Sequence, residues 1–131
     1  MKVLAFSALG VLALAGCAGS QSSTLVEQGY QPGALGVAAI DRGDWAAAEK
    51  GLMEKRGISA NDPARLINLG KVYMETGRRG EALSAWRLAL ASDRHREVET
   101  IDGRVVSTED LARQALAMYE TDVRSASADP R

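Results

Sequence analysis

Apolar positions are spaced in three different ways along this chain, and each spacing predicts a different element. From Val3 to Ala13 nearly every residue is apolar, and nothing after Cys17 is both long and apolar. Further on, Leu66, Leu69, Gly70 and Tyr73 fall at i, i+3, i+4 and i+7, which places them on one face of a helix. Asp62-Pro63 supplies its N-cap and first residue, where the missing N–H of proline costs nothing. Gly77 is a candidate left-handed C-cap, and Leu83, Trp86 and Leu90 line the face of a second helix. The pattern then shortens. Residues 98–101 and 104–106 flank Asp102-Gly103 and predict a small β-hairpin. Ser107-x-x-Asp110 reads as a capping box opening a last helix, with Leu111, Ala115, Met118, Tyr119 and Val123 along one side.

The helical pattern occurs twice. Leu35-Gly36 returns as Leu69-Gly70, Gly43 as Gly77 and Ala48 as Ala82, each 34 positions later. Ile40 and Met74, Asp41 and Glu75, and Leu52 and Trp86 correspond in kind. Gly36 and Gly70 are expected inside helices, where glycine costs about 1 kcal/mol relative to alanine. Close approach of a neighbouring helix explains that cost, with Ala48 and Ala82 as the expected small partners. No third copy follows in register, since Gly103-Arg104 stands where Leu-Gly would recur.

Met1-Lys2 followed by about eleven mostly apolar residues has the form of a signal peptide and is too short to span a bilayer. It ends in Leu14-Ala15-Gly16-Cys17, which resembles the bacterial lipobox. That resemblance implies cleavage before Cys17, a diacylglyceryl thioether on its sulfur and acylation of the new amine. Two or three acyl chains hold a protein far more firmly than one. In lipoproteins of this type an aspartate after the cysteine favours the inner membrane. Ala18 follows here, so the expected site is the periplasmic face of the outer membrane. Residues 17–29 are small and polar for most of their length and are expected to be a flexible tether. Residues 30–124 are the expected domain, and 125–131 a disordered tail.

A 34-residue period is that of the tetratricopeptide repeat, a helix-turn-helix unit. Leu66-x2-Leu69-Gly70-x2-Tyr73, with Ala82-x3-Trp86 and Ala89, resembles that family's signature. The first copy is degenerate, with Pro32 and Ala39 in place of large residues. The expected fold is therefore all-α: about two such repeats and a C-terminal capping helix, with the hairpin between. The resemblance also implies a partner-binding groove on the first helix of each repeat. Transferred to this chain, it would be lined by Val37, Ile40, Asp41, Ile67, Asn68, Lys71, Met74 and Glu75. Ile67 and Met74 lie off the Leu66/Leu69/Tyr73 stripe, so this helix is apolar on two sides. The second side meets either a partner or the last helix. Carboxylate capture, used by some members of the family, is not expected. Gly33 and Val37 stand where it needs Lys and Asn, and only Asn68 matches.

The charge balance is even, 16 Lys+Arg against 17 Asp+Glu, with no basic block, which argues against a nucleic-acid partner. Acylation of the lone Cys17 leaves no thiol for a disulfide or a thiolate metal site. His95, the lone histidine, has no second ligand at metal spacing and is expected to be a solvated loop residue. Arg78-Arg79 is expected to be solvated in a turn. No nucleophile–base arrangement or phosphate loop can be assembled, and no cofactor is implied. The expectation is a non-catalytic, membrane-anchored scaffold for another envelope protein, of the kind used in pilus or secretion assembly. The alternative is a structural spacer whose repeats pack permanently in an oligomer.

Overall fold

A computed structural model of the chain describes residues 25–127. The lipobox, Cys17 and most of the expected tether lie outside the described residues. The described chain is mostly helical, with α1 Val37–Asp41, α2 Trp45–Met53, α3 Pro63–Glu75, α4 Arg79–Leu90, β1 Glu97–Glu99, β2 Val105–Ser107 and α5 Thr108–Ser127.

The 34-residue recurrence extends to the backbone. Gly43 and Gly77 both adopt left-handed conformations, with φ +70° and +77°. Gly43 N donates to Ile40 O at 3.0 Å and Gly77 N to Met74 O at 3.1 Å. Asp44 N donates to Ala39 O at 2.9 Å and Arg78 N to Tyr73 O at 2.8 Å. Each bond has its counterpart 34 residues on, so the same turn joins α1 to α2 and α3 to α4.

α3 is the central element, and every residue from Asp62 to Gly70 is buried. Its start follows the sequence: Asp62 caps it by accepting from Arg65 N at 3.1 Å, and Pro63 is the first helical residue. Leu69 and Val72 pack with Ala39, Ile40, Ala48 and Leu52 of the first helix pair. Ala64, Leu66 and Ile67 belong to a second cluster with Leu25, Leu35, Ala89, Val98, Leu111 and Ala112. A helix apolar on more than one side must be covered on each of them. α2, α4 and α5 each pack against it.

Five expectations are corrected. The first helix of the first copy shrinks to five residues, because Gly29, Gly33 and Gly36 all hold positive φ ahead of it. Gly36 is therefore an N-cap at φ +64° rather than a helix-interior residue, although a Cβ there would still stand 3.2 Å from Ala48 O. The nearest neighbour of Gly70 is Trp86 rather than Ala82. The tether ends earlier than expected: Leu25 is fully buried, and both Glu27 carboxylate oxygens accept backbone N–H bonds, from Leu35 and Gly33. α5 runs through Ser127, three residues into the segment expected as a tail.

β1 and β2 are antiparallel, pairing Glu97 with Ser107, Val98 with Val106 and Glu99 with Val105. The Asp-Gly turn is part of a three-residue loop, closed by Thr100 N donating to Arg104 O at 2.8 Å, with Gly103 at φ +80°. Ser107 Oγ accepts from Glu109 N and caps α5. Leu111 and Ala112 are buried, but Met118 and Val123, expected on the same side, are exposed. The far half of α5 is pinned to the start of α4 by the Arg79–Asp122 ion pair at 2.8 Å.

Candidate functional site

The eight expected groove residues divide into two groups. Ile40, Ile67 and Asn68 are buried and offer no surface to a partner. Asn68 Nδ2 donates to Leu35 O at 2.8 Å, while its Oδ1 is buried without a hydrogen-bond partner. Ile67 shares its cluster with Leu111 and Ala112 of α5 and with Leu25 and Leu35 of the N-terminal segment. The chain itself thus fills the first half of this α3 face, partly with α5 and partly with residues 25–35. The last helix is one of the two expected covers; the segment expected as a tether is the other contributor.

The remaining five keep access to solvent. Val37, Lys71 and Met74 are half-buried, and Asp41 and Glu75 are exposed. Burial pulls the Lys71 ammonium below the usual lysine range, while the nearby Glu75 and Asp41 carboxylates favour its charged form. Lys71, Asp41 and Glu75 are therefore electrostatic neighbours on the exposed part of α1 and α3. Met74, with its adaptable thioether, stands three residues along α3 from Lys71. Two surface cavities lie elsewhere. One, of about 470 Å³, runs along α5 past Met118, and the other, of about 320 Å³, lies between α3 and α4 beside Leu88.

Comparison with protein-family models, with curated proteins and with solved structures finds no match.

Three clusters that the sequence did not single out hold these faces in place. Arg65 is buried; its Nε donates to Leu52 O at 2.7 Å and Nη1 to Ala60 O at 2.9 Å, so it ties the end of α2 to α3. Arg78 and Glu49 form a two-pronged pair at 2.8 and 2.6 Å, with the guanidinium 4.4 Å over the Tyr73 ring. This corrects the expectation that Arg78 is simply solvated.

In the third cluster, Tyr30 Oη donates to Asp62, lying 3.1 and 3.2 Å from its two oxygens. Arg96 pairs with Asp62 at 3.3 Å and lies 5.0 Å over the Tyr30 ring. The Asp62 that caps α3 therefore also latches the N-terminal segment. Burial above all, then the Asp62 charge and the hydrogen bond to it, push the Tyr30 phenol above its ordinary value of 10.0, against the pull of Arg96. Because the folded value is the higher one, this contribution is complete below about pH 10 and falls away as the pH rises beyond it. Tyr30→Phe should cost about 1 kcal/mol at neutral pH. Urea titrations at neutral pH and at about pH 11 should show that difference shrinking in alkali.

His95 is another correction. It is half-buried, with Nδ1 3.2 Å from Thr108 Oγ1 and Nε2 3.2 Å from Leu90 O. The carbonyl of Leu90 can only accept, which assigns the proton to Nε2. No group of three or more His, Cys, Asp or Glu able to hold a metal ion occurs among the described residues, and none of their helices is long and apolar enough to cross a membrane.

Proposed function

We propose that this chain is a lipid-anchored adaptor of the bacterial envelope, a tetratricopeptide-like domain that holds a segment of another envelope protein without catalysing a reaction. Cys17 is its anchor, at the periplasmic face of the outer membrane. The observation that carries the reading is the 34-residue recurrence of sequence, left-handed glycine and turn hydrogen bonds together, downstream of Leu14-Ala15-Gly16-Cys17. Fold class does not by itself determine function, so the reading rests on the site as well as the repeat. Its partner surface is the open remainder of the α1–α3 face: Val37, Asp41, Lys71, Met74 and Glu75.

Crosslinking in intact envelopes tests it. Lys71→Ala combined with Met74→Ala should lower recovery of the crosslinked partner about tenfold, the effect of roughly 1.4 kcal/mol of lost binding. Unchanged partners and yields would remove the groove from the proposal. Intact-mass measurement of the mature protein tests the anchor, and an unmodified Cys17 would refute it. The exposed outer side of α5, with Met118 67% accessible, favours a second reading in which the domain is a permanently oligomeric spacer. Gel filtration of the unlipidated domain separates the two, since a monomer supports the adaptor and an obligate oligomer the spacer.

A further inference from the structure

The described chain begins at one end of the hairpin. Leu25 bridges to Thr100 in antiparallel sense, and Val26 N donates to Glu99 O at 2.7 Å. β1 therefore lies between β2 on one side and residues 25–26 on the other. In this antiparallel register, stepping from Val26 back to Leu25 moves along the ladder from Glu99 to Thr100, towards the loop at the tip. The first described residue, Leu25, thus lies beside Thr100, the residue before Ile101.

That tip exposes aliphatic side chains beside its charged ones. Ile101 is 46% exposed and Val105 66%, one in the loop and the other at the start of β2. Its charges are matched, because Asp102 accepts from the Thr100 hydroxyl and from Arg104 Nε at 3.0 Å. The Ile101 and Val105 side chains both keep much of their apolar surface in water. Two carboxylates limit how deep the tip could enter a bilayer: Glu99 pairs across the ladder with Val105, and Glu97 lies further from the tip.

Cys17 stands eight residues before Leu25. A chain of that length reaches at most about 26–29 Å when fully extended. Granted the lipid anchor proposed above, a tether of that length joins the anchored sulfur to the strand that pairs beside the tip. We infer that the β1–β2 tip, through Ile101 and Val105, rests in the headgroup layer of the phospholipid membrane that anchors Cys17, so that the tether and the hairpin together orient the domain. Two exposed aliphatic side chains are too few to bind a membrane unaided, but the anchor raises their local concentration at its surface. α5 starts directly after β2, and its 1.5 Å rise per residue places Ser125 about 27 Å along the helix from the hairpin. The α1–α3 face would then be displayed at a fixed attitude to the membrane.

The test uses the full lipidated chain in vesicles of phosphatidylethanolamine and phosphatidylglycerol. With the Cys17 sulfur in a thioether, Ile101→Cys, Val105→Cys and Ser125→Cys each supply the one thiol that an environment-sensitive fluorophore can label. All three positions are exposed, and unchanged circular dichroism checks the fold. The expected result is a blue-shifted emission at 101 and 105, quenched about twofold or more by brominated acyl chains, with little change at 125. Equal quenching at all three sites, or none at any, in protein that floats with the vesicles overturns the inference and leaves the anchor intact. A tip that stays unquenched in vesicles but is shielded in intact envelopes assigns it to a protein partner and also overturns the inference. Protein that fails to float, with Cys17 unmodified by mass, refutes the anchor reading and this inference with it.

Discussion

Gly70→Ala should destabilise the domain by about 3 kcal/mol, although alanine is the better helix former by about 1 kcal/mol. A Cβ on Gly70 would stand 2.2 Å from Trp86 Nε1, 2.5 Å from Cδ1 and 2.8 Å from Cε2. No carbon fits at those distances. The indole has little room to retreat, being buried with its Nε1 donating to Ile67 O at 3.2 Å. Either α4 moves away from α3 or the ring abandons that bond, and both open the centre of the fold. Thermal unfolding should show a midpoint lower by more than about 10 °C for a domain of this size. Combining Gly70→Ala with Trp86→Leu should recover part of the loss that the separate changes would sum to, because the two residues compete for one space. Gly51→Ala is the internal control. It too lies in a helix, but a Cβ there meets only Gly33 O at 3.5 Å, an ordinary contact. That change should be neutral or stabilising by up to about 1 kcal/mol. A Gly70→Ala variant as stable as the parent would show that the α3–α4 approach is looser than described.

Leu25→Ala should cost a similar amount, about 3 kcal/mol, within the range for emptying a leucine site in a core. Leu25 is fully buried among Leu35, Ala64, Ile67 and Leu111, and its backbone bridges to Thr100. If residues up to 29 were a tether, the substitution would change nothing measurable. Equilibrium denaturation of the unlipidated chain distinguishes these outcomes, and an unchanged midpoint would return Leu25 to the tether. The same variant should loosen the Tyr30–Asp62–Arg96 latch, because both hold one segment against α3. Faster amide exchange in residues 25–35 would register that.

Where the chain's local signals were strong, they were followed. Asp62-Pro63 opens α3, Asp44 caps α2 through Ala47 N, and Gly43 and Gly77 close the helices before the turns. A cap acts within four residues, and a 34-residue recurrence needs only the sequence to be seen. The hairpin was legible for the same reason, from Asp102-Gly103 and the strands around it. The candidate site was less so. Lys71, Met74 and Glu75 remained accessible, but Ile67 and Asn68 went into the core. Periodicity showed that α3 was apolar on a second side, but not what would cover it. The cover comes partly from Leu25, which pairs with a residue far along the chain and sits in a segment whose composition is otherwise that of a linker. Trp86 as the neighbour of Gly70, and the acceptors that satisfy Arg65 and His95, were hidden likewise.

What the sequence determined alone is whatever shows in the local pattern: the start of α3, the turns at Gly43 and Gly77, the hairpin and the 34-residue recurrence. Tertiary structure decided what each repeated letter was for. Gly36 and Gly70 occupy equivalent places, yet one is a left-handed cap and the other makes room for an indole. Backbone preference is written residue by residue, whereas burial and close approach are properties of pairs that the chain brings together only on folding.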